Sequence, residues 1–180
     1  MSKFEEKTLQ STEIFKGNVI SLQVDEVQLP NGRTSNREIV KHPGAVAVIA
    51  ITDTKKVVMV EQYRKALERT IVEIPAGKLE AGELPEMTAK RELEEETGYL
   101  ANKWTYLQSF STSPGFADEI IHLFVAEELT RSHSNLAMDE DEFIDVHEYS
   151  VVEMEDAVLS ERIFDAKTAY AVIWAKMNVK

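Results

Sequence analysis

Glu92, Glu95 and Glu96 stand at i, i+3 and i+4 within GKLEAGELPEMTAKRELEEETGY, residues 77–99. On an α-helix this spacing gathers the three carboxylates inside an arc of about 100° and turns Glu94 elsewhere. Like charges so close repel and raise one another's pKa unless a cation neutralises them, so the arrangement favours a bound divalent ion. Oxygen-only donors favour Mg²⁺ or Mn²⁺ over zinc. Ala89 and Leu93 project beside the same arc, while Glu86, Lys90 and Glu94 form a separate face with a favourable Glu86 to Lys90 pair. The three glutamates therefore border the buried stripe, where unpaired charge is costly. A merely solvated acidic helix is the competing reading, because runs of charge usually face water.

Gly77, Glu83, Arg91, Glu92, Leu93, Glu95, Glu96 and Gly98 match the pattern G-x5-E-x7-R-E-U-x-E-E-x-G-U, in which U is aliphatic. On these residues the chain resembles the Nudix family. Tyr99 departs from the pattern at its last position, an apolar replacement that touches no ligand position. The resemblance implies hydrolysis of a nucleoside diphosphate linked to another group, with divalent metal held by the helix. By position, Glu92 and Glu96 resemble direct metal ligands, Glu95 a further metal or water contact, and the backbone carbonyl of Ala76 another ligand. Arg91 can reach Glu95 one turn on, which suits it to orienting a carboxylate. Gly77 and Gly98 read as backbone devices at the entering turn and just past the helix end.

Outside this segment, Pro114 lies fifteen residues beyond Tyr99 in STSPGFADE. Its position and context resemble the ADP-ribose pyrophosphatases, as do EQYRK around Arg64, VEIPAG before the helix, and MDEDEF at Met138–Phe143. The resemblance implies Mg²⁺-dependent cleavage of ADP-ribose to AMP and ribose 5-phosphate, with Mn²⁺ as a substitute and two or more ions per site. A base must still position or remove a proton of the attacking water. In the resembling enzymes a loop glutamate does this, which Glu140 matches first and Glu142 second; alone, that acidic loop would read as solvated. Arg64 follows a strand and could grip a diphosphate with two parallel hydrogen bonds, or pair with Glu61 or Glu68. Arg37 resembles a nucleotide-contacting arginine from a partner subunit and is otherwise an exposed strand residue. Ser113, Pro114 and Glu119 resemble substrate contacts, with Glu73 of the same kind; Glu119 would otherwise simply open a strand.

Two other activities fit the same residues. One is a pyrophosphatase for GDP-mannose or a broad range of nucleoside diphosphate sugars, since selectivity lies in loops. The other is a non-catalytic sensor of ADP-ribose-like ligands.

The chain has 180 residues, a formal net charge of −12 and no cysteine. A domain of this length buries about 70% of its unfolded surface and needs no disulfides. The acidity argues against a nucleic-acid backbone as partner. A small diphosphate is different, because bound metal can meet its charge locally. No signal peptide is evident and no apolar run approaches a membrane span, so a cytoplasmic location is expected. The histidines His42, His122, His133 and His147 lack a ligand spacing.

The elements that must carry these groups follow from periodicity. VISLQVDEVQL and REIVKH flank the hairpin turn PNGR, and AVAVIAI, KKVVMVEQYR and TIVEIP read as strands. A helix is expected from Pro85 to Thr97, with Pro85 in its first turn. The strands WTYLQSF, EIIHLFVAEEL and FIDVHEY follow, and then the helices VVEMEDAVL and AKTAYAVIWAKM, the last expected to bury Tyr170, Ile173 and Trp174. This order gives an α/β class with helices around a mixed sheet. The resemblance implies the Nudix fold, an α/β/α sandwich over residues 44–180, with an antiparallel β subdomain over 1–43. It further implies a homodimer that exchanges its N-terminal strands. Phe4, Phe15 and Leu22 could stack a base or pack that dimer.

Overall fold

The computed structural model describes residues 2–132 and 143–179. The chain divides into two units, Met1–Gly44 with Ser111–Ile120, and Ala45–Phe110 with Ile121–Lys180.

In the first unit, β1 (Lys7–Lys16), β2 (Ser21–Gln28) and β3 (Thr34–Lys41) form an antiparallel sheet in that order. The PNGR turn closes through Gly32, whose φ of 82° places it in the left-handed region that glycine accepts without strain. Its amide donates to the Leu29 carbonyl at 2.9 Å. The register of β1 on β2 shifts at Leu9 and again at Ile14. Asp25 on β2 is buried and accepts hydrogen bonds from Ser11 Oγ at 2.6 Å, Gln23 Nε2 at 2.8 Å and Thr8 Oγ1 at 3.3 Å. The unit also takes in Ser111–Ile120, beyond the boundary expected after residue 43. Val40 donates to the Phe116 carbonyl at 2.7 Å, and Asp118 accepts from Lys41 Nζ at 2.6 Å and the His42 amide at 2.8 Å.

In the second unit, β4 (Ala45–Ala50), β7 (Ala76–Lys78), β8 (Tyr99–Phe110) and β9 (Ile121–Arg131) form a mixed sheet ordered β7-β4-β9-β8. Only β4 and β9 run parallel within it. A second sheet, β10-β5-β6, joins β5 (Val57–Arg64), β6 (Arg69–Glu73) and β10 (Ile144–Tyr149). Strand alternation builds two cores. Val46, Val48 and Ala50 of β4 pack with Ala89 and Leu93 of α1 (Pro85–Thr97). Ala47 and Ile49 pack with Met154 and Ala157 of α2 (Val151–Leu159) and with Ala171, Val172 and Ala175 of α3 (Ala166–Asn178). Opposite faces of the same strand thus meet different helices, which is the α/β/α layering and the mixed sheet expected.

Three details differ from expectation. Ile173 is 62% exposed, and Tyr170 and Trp174 are only partly buried. The buried stripe of α3 is Thr168, Ala171, Val172 and Ala175, whose small side chains let the helix approach the sheet closely. β9 begins at Ile121, so Glu119 lies in the segment before it and does not open a strand. TIVEIP ends its ladder at Glu73, and the Pro75 carbonyl instead accepts from Val48 at 2.9 Å.

Candidate active site

Helix α1 starts at Pro85 after an N-cap Leu84 that makes no side-chain cap bond, and stops at Gly98, whose φ is 67°. Within those limits Leu93 is fully buried, worth about 1.5–3 kcal/mol of transfer free energy, and this fixes the rotation of the helix. Glu96 is 4% exposed, and its Oε2 accepts from the Ala76 amide at 3.0 Å. Glu92, one turn earlier, lies against Gly77. A Cβ there would stand 1.9 Å from the Glu92 carboxyl carbon and 2.0 and 2.4 Å from its oxygens. Glycine is required at 77 for this close approach. Glu92 and Glu96 therefore converge on the short segment Ala76–Gly77 of β7.

Arg91 supplies the counter-charge next to them. Its Nη1 lies 2.7 Å from Glu95 Oε2 and 3.0 Å from Glu92 Oε1, and its Nη2 3.3 Å from Glu83 Oε2. Burial alone would lower its pKa, but the hydrogen bonds it donates to Glu83 and Glu95 and the nearby Glu92 charge raise it instead. The same Arg91 bond, with the hydroxyl of Thr88 at 2.8 Å, holds Glu83 below the usual glutamate range. Arg91 does reach Glu95 one turn on, and Lys90 Nζ lies 2.7 Å from Glu86.

The donor chemistry here is carboxylate and backbone oxygen without sulfur or imidazole, which fits a hard divalent cation. Among the described residues no three acidic or imidazole side chains are already assembled to hold a metal. Glu95 is engaged by Arg91 instead. The fit rests on the Gly77 cradle and on the orientation of Glu96 by the Ala76 amide.

Arg64 closes β5, but its partner is neither Glu61 nor Glu68. Its Nε donates to Glu73 Oε2 at 2.6 Å. Glu61 lies 3.2 Å from Arg162 Nη2, and Glu68 pairs with Lys65 at 2.7 Å. The register sets Val60 opposite Glu73 and Arg64 opposite Arg69, so Arg64 and Glu73 share a face of the strand pair four residues apart, and the long Arg64 side chain reaches along that face. Glu73 is 3% exposed, and its other oxygen accepts from Lys167 of α3. Lys167 was not singled out from sequence; it lies 94 residues beyond Glu73, and no local pattern links the two.

The remaining candidates belong to the first unit. Arg37 on β3 makes a two-bond pair with Glu6 at 2.8 and 2.5 Å, and its Nη1 donates to Ser35 Oγ at 3.0 Å. The Ser113 carbonyl accepts from Phe116 at 3.1 Å and Ala117 at 2.9 Å, a turn that carries Pro114. Glu119 accepts from Thr112 Oγ1 at 2.8 Å. Its other oxygen lies 3.5 Å from His42 Nδ1, which already accepts the Gly44 amide, so that approach is not a hydrogen bond. Glu140 and Glu142 lie outside the described residues.

Residues 41–172 match the family model described as NUDIX domain, and residues 6–40 match that of a nucleoside diphosphate sugar hydrolase N-terminal domain. The chain is 58% identical over 178 residues to an ADP-ribose pyrophosphatase of Bacillus subtilis (strain 168), covering 99% of this chain and 96% of that protein. It is 59% identical over 175 residues to a methanol dehydrogenase activator of Bacillus methanolicus, covering 97% and 95%. A solved structure titled as an ADP compounds hydrolase superposes with a TM-score of 0.85 at 21% identity, over 98% of this chain and 95% of that one, which shows the shared fold. With the matched residues spanning the α1 glutamates and the sheets that present them, the chain belongs to the Nudix family.

Proposed function

We propose that this protein hydrolyses the diphosphate of ADP-ribose to AMP and ribose 5-phosphate, using Mg²⁺ or, in its place, Mn²⁺. The observation that carries the reading is the convergence of Glu92 and Glu96 on Ala76–Gly77, within a chain similar over nearly its whole length to an ADP-ribose pyrophosphatase. Glu92, Glu96, Glu95 and the Ala76 carbonyl would hold two or more ions. Bound there, the metal would polarise the diphosphate and make its water more acidic. Arg91 orients Glu95 and Glu92 by its hydrogen bond and charge. Arg64 offers its guanidinium to a phosphate, supported by Glu73. Arg37, Ser113, Pro114 and Glu119 contact the rest of the substrate. Glu140, with Glu142 as the alternative, takes the proton as water adds to phosphorus and the bridging P–O bond breaks.

The protein acts as a homodimer that exchanges its N-terminal strands, and it is cytoplasmic. The exposed apolar residues Phe4, Leu9, Ile14 and Phe15 support the first statement. No helix among the described residues is long and apolar enough to cross a membrane.

The test is product analysis by chromatography after incubation with Mg²⁺ and, separately, ADP-ribose, ADP-glucose, GDP-mannose, NADH and dGTP, with EDTA controls. Preferential release of AMP and ribose 5-phosphate, abolished by EDTA, is expected. Better cleavage of another nucleoside diphosphate sugar would reassign the substrate, and no cleavage at all would leave a ligand sensor. The nearly equal similarity to a methanol dehydrogenase activator supports a second reading, in which the chain acts on a dehydrogenase. The rate of a purified methanol dehydrogenase with and without the protein separates the two.

A further inference from the structure

A chain of alternating charges runs from the first turn of α3 to the end of β5. Lys167 Nζ donates to Glu73 Oε1 and to Asp165 Oδ1, the latter at 2.9 Å. Glu73 Oε2 accepts from Arg64 Nε at 2.6 Å. The Lys167 and Glu73 side chains are 10% and 3% exposed, whereas that of Arg64 is 41% exposed. Arg64 is the most exposed member of the chain, and the Asp165 side chain at its other end is 19% exposed. Among the described residues the two Nη nitrogens of Arg64 make no hydrogen bond.

The division of the Glu73 carboxylate is the informative feature. A carboxylate facing a guanidinium alone favours two parallel N–H···O bonds. Here Lys167 occupies one oxygen, and Glu73 bonds Arg64 through Nε alone. Both Nη groups remain for an anion from outside. The four side chains carry two positive and two negative charges, so removing Lys167 would leave net negative charge beside Arg64 and tighten the hold of Glu73 on it.

We propose that Lys167 is a positioning residue for Arg64: by taking one oxygen of Glu73 it keeps the Arg64 fork turned outward to grip the substrate diphosphate. This rests on the reading of Arg64 as a diphosphate ligand given above. The docking of α3 has a separate anchor, because Thr168 Oγ1 accepts from the Ile74 amide at 3.1 Å and Asp165 Oδ1 caps the helix at the Thr168 amide, also at 3.1 Å. A change at Lys167 therefore alters the charge relay more than the position of the helix.

The experiment is calorimetric titration of methylenediphosphonate, a diphosphate analogue that water does not cleave, in the presence of Mg²⁺. It compares the native protein with Lys167→Met, Lys167→Arg, Arg64→Ala and the Arg64→Ala/Lys167→Met double variant. Lys167→Met should weaken binding about tenfold, and Lys167→Arg should restore it to within about threefold. In the Arg64→Ala background the Lys167 change should add nothing, the mark of a residue acting through Arg64. With ADP-ribose as substrate, KM should rise by the same factor and kcat stay within about twofold. If Lys167→Met does not fold, Lys167→Gln replaces it, keeping a donor and losing the charge, with an expected loss of about threefold.

Unchanged affinity, or an equal loss with and without Arg64, would overturn the proposal, as would failure of the native protein to bind the analogue. Failure to cleave ADP-ribose would instead overturn the proposed substrate while leaving this titration informative.

Discussion

Single atoms decide how the carboxylates of α1 are aimed. At Gly77 the obstacle to a side chain is the end of Glu92, a flexible group that can swing away, and not backbone. Gly77→Ala should therefore fold with a melting temperature close to that of the native protein, yet displace Glu92. A fall in kcat of about 100-fold is expected, with a weaker Mg²⁺ requirement curve; a metal-bound carboxylate misplaced by about 1 Å loses this much. Full activity in that variant would remove Glu92 from the ligand set. Glu140→Gln tests the other half of the chemistry. Its turnover should drop by about 10²–10⁴-fold while substrate affinity is kept, and an unchanged rate would move the base to Glu142 or off this loop.

Elements set the frame in which those atoms meet. α1 ends at Gly98, whose amide donates to the Glu94 carbonyl at 2.8 Å and whose φ is positive, while nothing lies near a Cβ built there. Gly98→Ala is thus opposed by backbone conformation alone, and a loss of about 1 kcal/mol in denaturant unfolding is expected. In the N-terminal sheet the Ser11 hydroxyl holds the Asp25 carboxyl below the ordinary aspartate range, against the opposing effect of burial and with help from Gln23, Thr8 and Lys41. A depressed folded pKa stabilises at pH above the unfolded value, and that contribution disappears as pH falls through the folded one. Asp25→Asn should therefore melt below the native protein at neutral pH, with the gap closing below about pH 4. A gap that stays constant across thermal melts from neutral to acid pH would show that the carboxylate charge is not what stabilises the sheet.

At the scale of the whole molecule, the charge of −12 is compatible with an anionic substrate only if cations meet its phosphates locally. β1 is exposed along its whole length and presents Leu9 and Ile14 at the two points where its register shifts. Such shifts twist an edge and turn side chains outward, and exposed apolar residues in a run favour a partner surface. Leu9→Glu/Ile14→Glu should convert the proposed dimer to a monomer in sedimentation equilibrium. An unaltered mass distribution would exclude β1 from any interface.

Local relations were legible in the chain alone, since backbone periodicity fixes which neighbours can meet. The helix over Pro85–Thr97, its stop at Gly98, and the i, i+4 pairs Glu86–Lys90 and Arg91–Glu95 all follow from spacing of a few residues. The motif also identified the family, because its fixed positions lie on one short strand, the turn after it and one helix with its cap. What tertiary structure decided lies between elements. The Ala76 amide meets Glu96 across 20 residues, and Lys167 meets Glu73 across 94. Arg64 took Glu73 over its sequence neighbours by reaching along the face that β5 and β6 share, four residues from its own cross-strand partner Arg69. Ile173 turned outward because the small residues of α3 pack closer to the sheet than a bulky stripe could. Periodicity specifies which face a residue shares, but only the packing of distant elements specifies what that face meets.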